Sequence, residues 1–254
     1  MKTFSSVLLT GASSGIGAAL ALRLAGPGVS LAVNGRDRQR LDEIAATCRG
    51  RGATVDARIL DVTDAAGMAA WIAEAEAARP LDLVIANAGI SAGTGGNGET
   101  AARTRAIFGA NVGGVLNTVL PAIDGMRHRR HGQIAIVSSL AAFRGLPGAP
   151  AYCASKAAVK AWGEGLRGWL AADGVGVSVI CPGFVESRIT ARNAFPMPLL
   201  MTAERTADII LRGLAANRAR IAFPLPLYMA AWLLATLPPA LVDGLAARLP
   251  RKGE

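Results

Sequence analysis

Aromatic residues are scarce in this chain of 254 residues: six Phe, four Trp and two Tyr make up only 5% of it. Alanine and leucine must therefore carry the packing. Charged residues are few as well, 18% against 52% apolar, which excludes a disordered chain and favours a well-buried sheet. The three cysteines, Cys48, Cys153 and Cys181, form no C-x-x-C pair and leave an odd count. Neither a disulfide framework nor a structural zinc site is expected from them, no metal ligand set is visible, and a reduced, cytoplasmic interior is the implied location. Acids are the scarcer charge, 18 against 27 Lys and Arg, for a net charge of +9. That balance suits nucleic acid, an anionic membrane surface or a phosphate-rich ligand equally well. The one basic cluster, Arg127-His128-Arg129-Arg130-His131, has no interleaved aromatics and lies between a helical pattern and a strand. It reads as a solvated loop, and no nucleic-acid partner is expected. The apolar run after Met1-Lys2 is too short for a signal peptide and is interrupted by a glycine turn.

What is present is an alternation of apolar runs and helical stripes. Strands are predicted at Val7–Thr10, Ser30–Asn34, Thr54–Leu60, Leu83–Asn87, Gln133–Ser138, Val177–Cys181 and Arg220–Phe223. Helices fall from Gly15, over Arg38–Cys48, Asp64–Ala78, a long stretch through Asn111 and Leu120, Ala151–Ala172 and Ala203–Asn217. Strands apolar on both faces and joined by helices imply one α/β domain, a parallel sheet covered on both sides. Ligands of such sheets gather at the carboxyl ends of the strands. Ser91–Gly98, a glycine-rich loop, is predicted at that edge.

The stretch LLTGASSGIGAALALRLAG, Leu8 to Gly26, places Gly11, Gly15 and Gly17 between the first strand and the first helix. Glycine is useful where the chain takes unusual dihedrals or a ligand comes very close. The opening helix would aim its unpaired N–H groups at a pyrophosphate. After the second strand, an NAD site places an acid against the ribose 2′-hydroxyl, yet this chain reads Asn34-Gly35-Arg36. Arg36 therefore favours the 2′-phosphate of NADP(H), with NAD(H) kept as the alternative.

Ser139 ends a strand, and Tyr152 and Lys156 lie four residues apart at the start of a helix, on one face. A fixed ammonium beside a phenol favours the phenolate and brings it into working range near neutral pH. The Ser139 hydroxyl is suited to hold a substrate oxygen next to that phenol while a nicotinamide exchanges hydride.

These residues, TGASSGIG (10–17), Asp61-Val62, Asn87-Ala88-Gly89, Asn111, Ser139, YCASK (152–156) and PGFVES (182–187), stand in the order found in the short-chain dehydrogenase/reductases, which the chain resembles over roughly residues 5 to 190. The resemblance implies a Rossmann-like doubly wound sheet in three α/β/α layers. It implies a catalytic group of Ser139, Tyr152 and Lys156, with Asn111 holding a water for proton relay. Gly11, Ser13, Ser14, Gly15, Ile16 and Gly17 would then cradle the cofactor, Asp61 and Val62 flank the adenine, and Asn87, Ala88 and Gly89 support the ribose. Pro182, Gly183, Val185 and Ser187, the last in place of the usual threonine, would position the carboxamide, and Tyr152 and Lys156 would also touch the cofactor. A homo-oligomer is implied as well.

Past residue 190 the resemblance fades, and 188–201 is expected to form a substrate lid whose Ile189, Phe195, Met197, Leu199, Leu200 and Met201 suit a lipophilic carbonyl or alcohol. The segment 222–242 carries no charge, but Pro224, Pro226, Pro238 and Pro239 leave only Leu227–Leu237 uninterrupted, well short of the ~20 residues a spanning helix needs. Three readings stand for the apolar extension 222–254: pocket cover, subunit contact, or docking on the inner face of a membrane with Arg248, Arg251 and Lys252 against anionic headgroups. The expectation is an NADP-dependent reductase of apolar ketones or aldehydes; the alternatives are a membrane-peripheral keto-lipid reductase and a non-catalytic NADP-binding sensor or assembly protein.

Overall fold

The computed structural model describes residues 4–91, 99–188, 190–191, 196–238 and 240–242. Seven parallel strands form a single sheet: β1 (Ser6–Leu9), β2 (Ser30–Gly35), β3 (Thr54–Ile59), β4 (Leu83–Ala86), β5 (Gly132–Val137), β6 (Val175–Pro182) and β7 (Arg220–Phe223). Their spatial order is β3-β2-β1-β4-β5-β6-β7, so the order reverses between β1 and β4. The crevice at such a reversal is where an open α/β sheet binds its ligand.

Side chains one apart along a strand leave the sheet on opposite faces, and the core divides accordingly. Val7, Leu9, Leu31, Val33, Leu83 and Ile85 pack with Leu20 of α1 (Gly15–Leu24), Leu41 of α2 (Arg38–Gly50) and Ile210 and Leu214 of α7 (Ala203–Ala215). Leu8, Val84, Ile134 and Ile136 face the other layer, with Trp71 and Ile72 of α3 (Ala65–Ala78), Val119 and Met126 of α5 (Gly114–His128) and Leu166 of α6 (Pro150–Leu170). The edge strand β3 departs from the expectation of double-sided burial. It is largely exposed, and its Asp56 and Arg58 pair with each other while Arg58 also reaches Glu74.

The predicted long helix is three pieces: α4 (Ala101–Phe108), a π-helical turn Gly109–Gly113 containing Asn111, and α5. Among the described residues, this run from Ala101 to His128 alone is long and apolar enough to cross a membrane. Its apolar face, Val115, Val119, Ala122, Ile123 and Met126, lies buried in the core. The basic cluster ends α5 and the following turn, where Arg127 pairs with Asp173 at 2.6 Å and covers Trp169, and Arg129 pairs with Glu76. The uncharged segment after β7 forms α8 (Leu225–Thr236), 12 residues long.

The segment after β6 leaves and returns at one place. Val185 bridges Met201, and the backbones of Glu186 and Met201 and of Met201 and Phe184 are joined at 2.9 and 3.0 Å. Ile189 and Phe195 of the expected lid, residues 92–98 of the glycine-rich loop, and Arg248, Arg251 and Lys252 lie outside the described residues.

Candidate active site

A cleft of about 660 Å³ runs along the carboxyl edge of the sheet. Its floor is the turn between β1 and α1. Gly11 takes φ +74° and Gly15 φ +55°, conformations that side chains disfavour. A Cβ on Gly17 would come within 2.2 Å of the Gly11 carbonyl oxygen, so this glycine lets α1 sit directly on the turn. Gly11, Ser13, Ser14, Gly15 and Ile16 line the cleft, whereas Gly17 does not: its place is the helix–turn contact and not the ligand surface that the motif had suggested.

Two asparagines stitch the turn to its neighbours. Asn87 donates to the carbonyls of Thr10 and Gly11 at 2.9 and 3.3 Å, while the Thr10 hydroxyl accepts from the backbone N–H groups of Asn87 and Ala88. Asn34, wholly buried, accepts from Gly11 N–H at 3.0 Å and donates to Leu60 C=O at 3.2 Å. From the sequence Asn34 is legible only as a non-acidic residue, because its partners lie 23 and 26 positions away.

At one end of the cleft are Arg36, Asp37, Arg40, Asp61 and Val62. The exposed Arg36 guanidinium lies 3.6 Å from Asp61, whose carboxyl is held below its usual range chiefly by the Thr63 backbone N–H and partly by Arg36. Asp37 caps α2 through Arg40 N–H at 3.1 Å and pairs with the Arg40 guanidinium. Arg40 Nε is buried with no hydrogen-bond partner among the described residues.

At the other end, β5 delivers Ser138 and Ser139, and the first turns of α6 deliver Tyr152 and Lys156. The Ser139 hydroxyl and the Tyr152 phenol line the same end of the cleft, and the hydroxyl favours the ionised phenol. Lys156 Nζ donates to Val137 C=O at 2.9 Å and lies 5.9 Å from the Tyr152 ring centre. Burial lowers the Lys156 ammonium from 10.5 to about 8. Burial also pushes the phenol up, against a smaller lowering by the Ser139 hydroxyl, so the lysine-driven depression expected from the spacing is not the dominant effect here. Gly89 is small where Lys156 and Asn111 converge, since a Cβ there would stand 3.3 Å from Nζ and 3.0 Å from Asn111 Oδ1.

Asn111 is buried behind the cleft and does not line it. Its side chain accepts from Ile90 N–H at 2.8 Å and donates to Ile90 C=O and the Ser155 hydroxyl at 2.9 and 3.0 Å. A side chain so engaged fixes the segment after β4 and α6 relative to each other. Pro182, Gly183, Val185 and Ser187 complete the wall, joined by Thr190, whose hydroxyl receives Ser187 N–H at 2.9 Å and donates to Val185 C=O at 2.7 Å.

A sequence profile described as short chain dehydrogenase matches residues 5–195. The chain is a short-chain dehydrogenase. An uncharacterized oxidoreductase of Myxococcus xanthus is 40% identical to this short-chain dehydrogenase over 248 residues, 97% of this chain and 98% of that one. Another from Mycobacterium tuberculosis is 35% identical over 206 residues, 79% and 81% of the two chains. Among solved structures, a short-chain dehydrogenase from Sphingobium yanoikuyae in complex with NADPH superposes with a TM-score of 0.81 at 28% identity, covering 97% and 96%. One from Mycobacterium paratuberculosis bound to NAD, at 22% identity and TM-score 0.76, shares the fold. The protein is thus an oxidoreductase dependent on a nicotinamide dinucleotide.

Proposed function

We propose that the protein interconverts an apolar ketone or aldehyde and the corresponding alcohol with NADP(H), Tyr152 serving as the general acid and base. The observation that carries this reading is the convergence of Ser139, Tyr152 and the Lys156 ammonium on one cleft at the carboxyl edge of the sheet. The glycine turn, the Asn87 stitching and the cleft volume suit a dinucleotide, which when bound supplies or takes the hydride.

The residues do the rest. Burial keeps the phenol protonated at neutral pH, so Tyr152 Oη has a proton to give to a carbonyl oxygen that Ser139 Oγ holds in place. The phenolate left behind is an anion beside the Lys156 ammonium, whose charge lowers its cost. In the oxidative direction the same phenolate accepts the alcohol proton. Asn111 and Ser155 hold the frame on which these groups sit.

The preference for the 2′-phosphate is supported by the arginines. Arg40 Nε is a buried donor with no partner among the described residues, and Asp37, the nearest acid after β2, is already engaged by Arg40 and its N–H. An anion against Arg36 and Arg40 would satisfy that donor, whereas a ribose diol would find no free carboxylate at Asp37. The solved relative from Sphingobium yanoikuyae holds NADPH, which agrees with this choice.

An apolar substrate is supported by Leu199 and Leu200, exposed on the segment after β6. Exposed Leu120 on α5 and Trp169 on α6 support self-association. A second reading, docking on an anionic membrane surface, rests on the outer face of α8, where Leu225, Met229, Trp232 and Leu233 recur at helical spacing and are exposed. NADPH oxidation measured on a series from 2-butanone to 2-dodecanone, with NADH in parallel, tests the main reading. Turnover with NADPH that rises with chain length supports it. Tight NADPH binding with no turnover on the series would replace it with the sensor reading, and vesicle co-sedimentation tests the docking.

A further inference from the structure

Apart from the two main cores there is a small third cluster: Leu140, Val179 and Cys181, with Phe143, Ala222, Leu227, Tyr228 and Ala231 packed against them. It lies where β5, β6 and β7 end, and one side of it is the inner face of α8. The outer face of that helix is exposed, so packing alone holds it weakly. Polar groups secure both of its ends.

At the last turn, the Arg144 guanidinium donates to the carbonyls of Leu234 and Leu237 at 3.1 and 2.9 Å. A cation there satisfies carbonyls that have no helical partner and meets the negative end of the helix dipole. At the first turn, Arg220 donates to the Tyr228 hydroxyl at 3.1 Å and pairs with Glu164 of α6. Lys160 pairs with the same carboxylate at 3.1 Å, and the Phe143 ring lies between Lys160, Arg220 and the edge of Tyr228 at 5.0, 5.6 and 5.5 Å.

Both tethers reach the reacting groups by short paths. Ser139, which lines the cleft with Tyr152, caps the 3₁₀ turn Leu140–Ala142, and Phe143 and Arg144 follow directly. Tyr152, Lys156, Lys160 and Glu164 recur every four residues along one side of α6. Leu227 also packs against the cleft wall, since a Cβ on Gly183 would lie 3.3 Å from Leu227 Cδ1.

We infer that α8 is a working part of the active site and that Arg144 is a positioning residue, clamping the C-terminal end of α8 so that the segment from Ser139 to Phe143 is held at the angle the Tyr152 phenol requires. Arg220 is its counterpart at the other end. This rests on the proposed roles of Ser139 and Tyr152, and the experiment separates the two.

Arg144→Met removes the donors but keeps an apolar stem; Arg144→Lys restores a cation with several donors on one nitrogen. Three quantities are read: NADPH affinity, steady-state reduction of the best 2-alkanone, and hydrogen exchange at the amides of Ala141 to Arg144 in the NADPH complex. In Arg144→Met, kcat should fall by about tenfold to a hundredfold, the order expected of a misplaced reacting group, with KM within about threefold and NADPH affinity unchanged. Exchange over 141–144 should accelerate while exchange in the Gly11 turn stays as in the wild type, and Arg144→Lys should recover most of both effects. Wild-type kcat in Arg144→Met, or unchanged exchange over 141–144, would overturn the inference. So would a loss of activity matched by an equal loss of NADPH-binding sites, which is plain unfolding. Tyr152→Phe run alongside isolates the parent reading: full turnover in that variant refutes the assigned chemistry, whereas a dead Tyr152→Phe with a fully active Arg144→Met refutes only the clamp. If no 2-alkanone turns over, the exchange experiment alone decides whether Arg144 holds the segment.

Discussion

Replacing Lys156 with methionine should make the cofactor-free protein more stable and much less active. Lys156 is 4% exposed, and burial holds its ammonium at about 8 instead of 10.5. That depression corresponds to about 3 kcal/mol of penalty carried by the charged form at neutral pH. Lys156→Met keeps the stem's packing and removes the penalty, but it forfeits the 2.9 Å bond to Val137 C=O, worth about 1 kcal/mol. The net expectation is about 2 kcal/mol of added stability, or a melting midpoint higher by roughly 4–8 °C for a domain of this size. The pH dependence has a definite sign. Between pH 8 and 10.5 the folded protein has released the lysine proton while the unfolded chain still binds it, so wild-type stability rises with pH across that window. The advantage of the methionine variant should therefore be full below pH 8 and shrink towards pH 10.5. Denaturation of both proteins at pH 7 and pH 10, beside NADPH turnover at pH 7, checks this. A variant that melts below the wild type at pH 7, or an advantage that grows with pH, would refute the account of a costly buried ammonium kept for chemistry. Turnover should fall by about a hundredfold or more.

The reductive rate of the wild type should decline as pH rises through about 8, where Lys156 loses its charge, as read from a pH profile of kcat/KM with NADPH saturating. Arg36→Asp and Arg40→Met should each weaken NADPH binding by about tenfold or more while leaving NADH binding within about twofold; equal losses for the two cofactors, by fluorescence titration, would remove the case for a 2′-phosphate site. Asn34→Ala strands the Gly11 N–H and the Leu60 carbonyl and should cost about 2 kcal/mol in urea denaturation, together with weaker binding of both cofactors. Gly17→Ala should destabilise by about 1–3 kcal/mol, since its Cβ would stand 2.2 Å from a backbone oxygen that cannot easily retreat.

The strand and helix pattern was legible because periodicity is a local property. The interruption at Gly109–Gly113 was not: no residue in GANVG forbids an ordinary helix, and the π turn accompanies the fit of Asn111 against Ile90 and Ser155. The exposure of β3 was equally hidden, since only the sheet order makes it an edge and leaves Asp56 and Arg58 to pair outside.

For the candidate site, the sequence by itself determined which residue types meet: glycines at a strand-to-helix turn, a serine closing β5, and a tyrosine and a lysine one helical turn apart. Dihedral freedom and spacing act over a few residues, so they can be read from a few residues. Only the tertiary structure decided that Gly17 serves packing and that the Asn111 side chain is spent on the frame. It also decided that Asn34 belongs to the cleft, and that Arg144 reaches the end of a helix 90 residues further on. Those outcomes depend on burial and on partners brought together from distant parts of the chain, and neither quantity exists until the layers have packed.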